Sequence, residues 1–201
     1  MKRFSFIILF ICCMSGLANA QHTGYFIKNN NDTVRCYIKL DGDLDPVYRF
    51  YNSKHKARMR RISADTVKAF RVSADSSYFV ARVIPITDKK RELVFLQWVE
   101  RGRINLYSYS TQFYDAASGR EDYNNRLYAS KGSDSLMLIR AGDVWPLKQT
   151  KLRNLFYSLI SDEPQVAAAY MARDGKHSLF YNYNTIDDFI SRYNKAAAAK
   201  K

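Results

Sequence analysis

The stretch Leu93-Val-Phe-Leu-Gln-Trp-Val-Glu100-Arg101-Gly102-Arg103-Ile-Asn-Leu-Tyr-Ser-Tyr-Ser110 decides the fold class. Leu93 to Glu100 and Arg103 to Ser110 are rich in apolar, β-branched and aromatic residues, and they flank Arg101-Gly102. Two such runs around a short glycine-containing turn predict an antiparallel β-hairpin.

Outward from this hairpin the same chemistry recurs. Tyr25 to Ile27 and Thr33 to Leu40 flank Asn29-Asn30-Asn31-Asp32, and Asn and Asp tolerate the positive φ of a tight turn, so these form a second hairpin. Val47 to Tyr51, Ala57 to Ile62, Val67 to Val72 and Ser77 to Ile86 are further strands separated by short polar turns. Leu127 to Ser130 and Ser135 to Ile139 flank Lys131-Gly132-Ser133-Asp134 as a third hairpin. After Trp145-Pro146 the period changes. Leu152, Leu155, Phe156, Leu159 and Ile160 recur at three and four, the spacing of one helix face. Asp162-Glu163-Pro164 stops that helix and starts another, which ends at Asp174-Gly175. A last helix opens at Thr185 and carries Ile186, Phe189, Ile190 and Tyr193 as its apolar stripe. Strands followed by helices predict an α+β protein: a mainly antiparallel β sheet, sandwich or open barrel with C-terminal helices.

The chain of 201 residues and 23.4 kDa is about the size of one domain, and 47% hydrophobic residues suffice for a packed core. Residues 1–20 read as an export signal peptide. Lys2 and Arg3 are its positive end, Phe6 to Met14 its apolar run, and Ala18-Asn19-Ala20 its small-residue cleavage site. The run is too short to span a bilayer, which takes roughly 20 apolar residues. Ile11 and Phe10 before the tandem Cys12-Cys13 do not suit lipid attachment. The division expected is a signal peptide at 1–20, a β-rich domain at 21–145 and a helical region packed on it at 146–201, with no transmembrane segment after cleavage. Cleavage leaves Cys36 as the single cysteine, so no internal disulfide forms, and its alternating surroundings predict a small buried strand residue. The product is expected in the periplasm or outside the cell.

Charge is unevenly spread. Residues 47–103 carry 14 basic and 5 acidic side chains. Within them Lys54, Lys56, Arg58 and Arg60 alternate with His55, Ala57 and Met59, so a strand places the four cations on one face, with Arg61 following. Such a segment either holds anions or is the solvated face of an edge strand, where charge blocks aggregation. Export and the lack of a reader motif disfavour nucleic acid.

Residue chemistry excludes several activities. No Gly-x-Ser-x-Gly, Ser-x-x-Lys or His-Glu-x-x-His occurs, and the eight glycines do not cluster into a phosphate loop. His22, His55 and His177 stand far apart with no ligand pair at useful spacing. Asp41-Gly42-Asp43-Leu44-Asp45 resembles the start of a calcium loop, but Pro46 and Asn52 occupy the positions that require Gly and Glu, so it reads as an acidic turn. No catalytic residue, cofactor or metal ligand is assigned. Tyr107 and Tyr109 lie on one strand face and Tyr181 and Tyr183 alternate near the end of the chain; such residues serve either as core or as platforms for sugars and peptides.

Gly24-Tyr25-Phe26-Ile27, Asn31-Asp32-Thr33, Asp65-Thr66-Val67-Lys68-Ala69-Phe70, the segment from Phe95-Leu96 through Gly102 to Leu106-Tyr107, and Tyr193-Asn194 are the motifs that carry a resemblance. In these motifs the chain resembles a group of uncharacterised exported Bacteroidetes proteins across nearly all of its mature length. Asn31 stands where that group has a turn glycine. The resemblance implies the fold and export, and no activity or site residue. The function expected is that of a non-enzymatic cell-envelope binding module. Its partner is expected to be an anionic glycan or lipid phosphate held by Lys54, Lys56, Arg58, Arg60 and Arg61, or an outer-membrane protein. The alternative is a hydrolase whose site, built from His55, His177 and buried carboxylates, assembles only in three dimensions.

Overall fold

The structure is a computed structural model and describes residues 22–41, 47–51, 59–73, 76–85, 90–115, 119–132, 135–141, 146–174 and 183–200. Ten strands form one open antiparallel sheet. They are β1 (His22–Lys28), β2 (Thr33–Asp41), β3 (Val47–Tyr51), β4 (Arg60–Arg61), β5 (Val67–Val72), β6 (Tyr78–Pro85), β7 (Arg91–Glu100), β8 (Ile104–Asp115), β9 (Arg120–Lys131) and β10 (Met137–Ala141). Three helices follow: α1 (Pro146–Ile160), α2 (Pro164–Asp174) and α3 (Tyr183–Ala198). The predicted α+β class is therefore observed, with an open sheet rather than a sandwich.

Strand order is β10-β9-β8-β7-β6-β5-β1-β2-β3-β4. From β5 to β10 the chain is a meander, and the first four strands are appended through β1, which pairs with both β2 and β5. Strands lie about 4.8 Å apart, so in a flat sheet β3 and β5 would be separated by about 14 Å. Tyr48 on β3 nevertheless brings its ring to 4.7 Å from Phe70 on β5 and 4.9 Å from Phe79 on β6. Only a strongly curled sheet permits this. The curl encloses an aromatic core of Phe26, Phe70 and Phe79 with Ile38 and Ile62, against which Tyr48, Phe50 and Phe95 pack. It also explains how residues 62–66 return the chain from β4 to β5. That short connection is pinned to the first hairpin, where the Asn29 N–H donates to the Thr66 carbonyl and Asn29 Nδ2 to the Asp65 carbonyl.

The predicted first hairpin turn forms as expected, with Asn31 at a φ of 73°. Gly24 is required by packing: a Cβ there would stand 2.3 Å from the Arg71 carbonyl oxygen on β5.

At the other end of the sheet the helices cover one face of β8, β9 and β10. Ile104, Leu106, Leu127, Ala129 and Ile139 meet Phe156 of α1, Tyr170 of α2 and the α3 stripe Ile186, Phe189, Ile190 and Tyr193. The predicted stripe is therefore the one buried, although α3 begins at Tyr183, two residues before Thr185. The β8–β9 hairpin is much longer than its apolar pattern indicates. Residues 111–126 are mostly polar, and their pairing from Thr111↔Asn124 to Asp115↔Arg120 continues the backbone ladder beyond the apolar part of both strands. Of the predicted strand from Ala57 to Ile62, only Arg60–Arg61 is in β4, and residues 52–58 lie outside the described set.

Candidate functional site

Of the five cations singled out by the sequence, Lys54, Lys56 and Arg58 lie outside the described residues. Arg60 and Arg61 are exposed on β4, at the sheet edge, opposite Phe50 and Arg49. Neighbours along a strand point to opposite faces, so these two cannot belong to one row.

A different set of cations is brought together by strand register. On β1, β2 and β5 the inward positions are taken by Phe26, Cys36, Phe70 and Val72, which turns Tyr25, Arg35 and Arg71 outward. Arg35 is directly opposite Tyr25, Tyr25 opposite Arg71, and Arg71 opposite Tyr78 on β6. Directly opposed residues share a face. The row continues through Trp98 on β7, whose ring lies 5.9 Å from that of Tyr78, to Tyr107 and Tyr128. One side chain from each of seven adjacent strands thus forms a single band, fully buried at the Tyr107–Tyr128 end and exposed at the arginine end.

Arg101, from the hairpin turn after β7, folds back over this band. Its guanidinium carbon lies 4.2 Å from the centre of the Trp98 ring and 4.5 Å from that of Tyr78. The two rings are tilted 47° to each other, and contact with both holds the cation in place above the band. Trp98 is fixed in turn, donating from Nε1 to the Glu100 carbonyl at 3.0 Å and packing at 5.5 Å on buried Tyr107.

Arg71 and Arg101 flank an open pocket of about 370 Å³ whose other walls include Tyr25, Tyr78, Trp98 and Ser76. Ser76 holds a φ of 60°, in the left-handed region. Burial raises the Tyr78 pKa, the nearby Tyr25 hydroxyl raises it further, and the Arg101 charge opposes both, so the phenol stays protonated and able to donate. Among the described residues no carboxylate lines the pocket. Two guanidiniums and three hydroxyls around one concavity can bind an oxyanion.

A larger cleft of about 580 Å³ opens on the inner face between the 62–65 turn and strands β7 and β8, with Arg61, Asp65, Glu92, Gln97, Ser108 and Ser110 among its walls. Its charges are mixed. Asp65 accepts from Ser63, Ser110 donates to Asn125, and no histidine lines it among the described residues.

His55 and His177 lie outside the described residues, as do Asp43, Asp45 and Tyr181. Among the described residues no three His, Cys, Asp or Glu side chains come together as metal ligands. Cys36 is buried as expected, and burial pushes its thiol up to about 11, far from a reactive thiolate. Tyr107, one of the proposed platform residues, is core. No helix among the described residues is long and apolar enough to cross a membrane. The arginine band is not visible in the sequence because Arg35, Arg71 and Arg101 are spread over 67 positions, Arg35 and Arg71 each alone between apolar or aromatic neighbours and Arg101 inside the Glu100–Arg103 turn. No family model matches the chain, and no curated protein or solved structure matches it either.

Proposed function

We propose that the protein is an exported cell-envelope protein acting as a non-catalytic binding module for anionic material, and that its contact surface is the arginine–aromatic band. The leader-like residues 1–20 support export. The observation that carries binding is the register itself: Arg35, Tyr25, Arg71 and Tyr78 stand side by side on one outward face, with Arg101 stacked beside them. A structural face gains nothing from gathering like charges, which repel one another, whereas a ligand-binding face gains from each. Edge cations on β4 and the segment before it then serve as a secondary attraction.

The test is sedimentation with vesicles containing phosphorylated lipopolysaccharide, at low and at physiological salt. Neutralising Arg35, Arg71 and Arg101 together to Gln should weaken binding at least tenfold while the circular dichroism spectrum is unchanged. Neutralising Lys54, Lys56, Arg58, Arg60 and Arg61 together should cost only a few-fold. The reverse ranking, or binding indifferent to both sets, overturns the assignment.

A further inference from the structure

We infer that the pocket between Arg71 and Arg101 is a site for the dianionic phosphomonoester of a sugar; this rests on the anion-binding reading and sharpens it. Charge matching selects the group. Two permanently charged guanidiniums flank the pocket with no carboxylate among its described lining, and a phosphomonoester carries about −1.5 to −2 at neutral pH with three acceptor oxygens. A carboxylate or a sulfate ester brings one negative charge and leaves the second guanidinium unmatched. Geometry agrees. The Arg101 guanidinium carbon lies over Trp98 and Tyr78, at 4.2 Å and 4.5 Å, and a guanidinium held there can offer paired N–H groups for a bidentate grip. Arg71 also lines the pocket, placed by register between Tyr25 and Tyr78.

The rest of the pocket indicates what carries the phosphate. A volume of about 370 Å³ is several times that of the group itself. The remaining space is bounded by phenols, the Ser76 hydroxyl and an indole, with Val99 as its one aliphatic residue among those described. Aromatic faces with hydroxyl tips suit a ring that has both CH faces and hydroxyls, and offer no channel for an acyl chain. Among the described residues, the charged and titratable groups lining the pocket are Arg71, Arg101, Tyr25 and Tyr78, and burial pushes the Tyr78 phenol up.

Titration calorimetry on the full chain tests this with glucose 1-phosphate, glucose 6-sulfate and glucuronate at pH 5 and pH 7.5. The phosphate second ionisation lies near pH 6, so glucose 1-phosphate should bind several-fold tighter at pH 7.5 than at pH 5. The sulfate ester, whose charge is fixed, should bind more weakly and without a pH step, and it reports any titration of the protein itself. Arg71→Gln and Arg101→Gln should each lose at least tenfold, and Arg101→Lys should not restore the loss, since an ammonium lacks the paired N–H fork of a bidentate grip. Vesicles carrying a phosphorylated glycolipid, compared with phosphatidic acid vesicles, separate a lipid-borne headgroup from a free sugar phosphate. Preference for the glycolipid assigns the headgroup, and soluble binding alone assigns the free sugar phosphate. Equal binding of phosphate, sulfate and carboxylate without a pH step overturns the inference and leaves general anion binding standing. Arginine-dependent vesicle binding without any sugar-phosphate binding does the same. Loss of all binding, vesicles included, overturns both.

Discussion

Asn194 shows how much of the architecture rests on one side chain. From α3 its Oδ1 accepts from the Ile104 N–H and its Nδ2 donates to the Ile104 carbonyl, both at 2.9 Å, so the amide acts as one rung of an extra strand at the start of β8. Gly102 makes room for it: a Cβ there would sit 2.3 Å from Asn194 Cγ. Asn194→Ala leaves two buried backbone groups unpaired and should cost about 2 to 4 kcal/mol in urea unfolding. Gly102→Ala should cost about 1 to 3 kcal/mol through overpacking. In the Asn194→Ala background most of that second cost should vanish, and an additive double mutant would show that the two residues act independently. Gly24, Asn31, Gly102, Tyr193 and Asn194, all in the sequence motifs quoted above, prove to have packing or turn roles. The motifs therefore point to the scaffold, while Arg35, Arg71 and Arg101 stood out in no motif as a group.

At the scale of elements, Asp162 joins the helices to the sheet. Between α1 and α2, its carboxylate accepts from Lys131 of β9 at 2.6 Å and from the Tyr193 hydroxyl of α3 at 3.0 Å, and lies 3.1 Å from Arg103 at the hairpin turn. Lys131 also donates to the Leu159 carbonyl at the end of α1. Partial burial alone would raise the Asp162 pKa, but the hydrogen bonds from Lys131 and Tyr193 and the charges of Lys131 and Arg103 outweigh it and hold the carboxyl below its ordinary value. A depressed folded-state pKa contributes stability that is present above the unfolded value, about 3.9, and is lost as pH falls through the folded one. Acidification below about pH 4 should thus loosen the helices from the sheet, and Asp162→Asn should flatten that part of the stability curve. An unchanged acid limb in the variant would remove Asp162 from the docking role. The helices themselves were legible, because a period of three and four in Ile186, Phe189, Ile190 and Tyr193 reports one buried face directly. The extension of β8 and β9 was not, because its polar residues carry no alternation and the backbone ladder supplies the order.

For the whole molecule, one sheet carries three clusters of buried side chains: an aromatic one inside the curl, an aliphatic-aromatic one beneath the helices, and a third of Ala69, Val80, Ile84, Leu96, Tyr107 and Tyr128 that includes the buried end of the band. Phe70 is fully buried at the centre of the first, stacked at 4.6 Å on Phe79 and edge-on at 4.9 Å to Phe95. Phe70→Ala should cost about 3 to 5 kcal/mol. It should open the curl before the helical end, so thiol labelling at Cys36, located by peptide mass, should accelerate while amide protection in α3 changes little. Equal loss at both ends would instead make the sheet a single cooperative unit.

Alternation, turn chemistry and helical period are local properties, and they alone determined that this chain makes short antiparallel strands followed by three helices. They also marked Asn29 to Asp32 and Arg101-Gly102 as turns and Cys36 as core. Which strands become neighbours is not local. β1 lies beside β5 because the curled sheet buries Phe26 with Phe70 and admits the Gly24 backbone against Arg71, and nothing near either strand in the chain states this. That one pairing sets Tyr25 between Arg35 and Arg71, and the pairing of β5 with β6 brings in Tyr78, over which Arg101 stacks. The cationic segment visible in the sequence is a run of near neighbours along the chain, whereas the proposed site runs across strands, where neighbours in space come from pairing and curl.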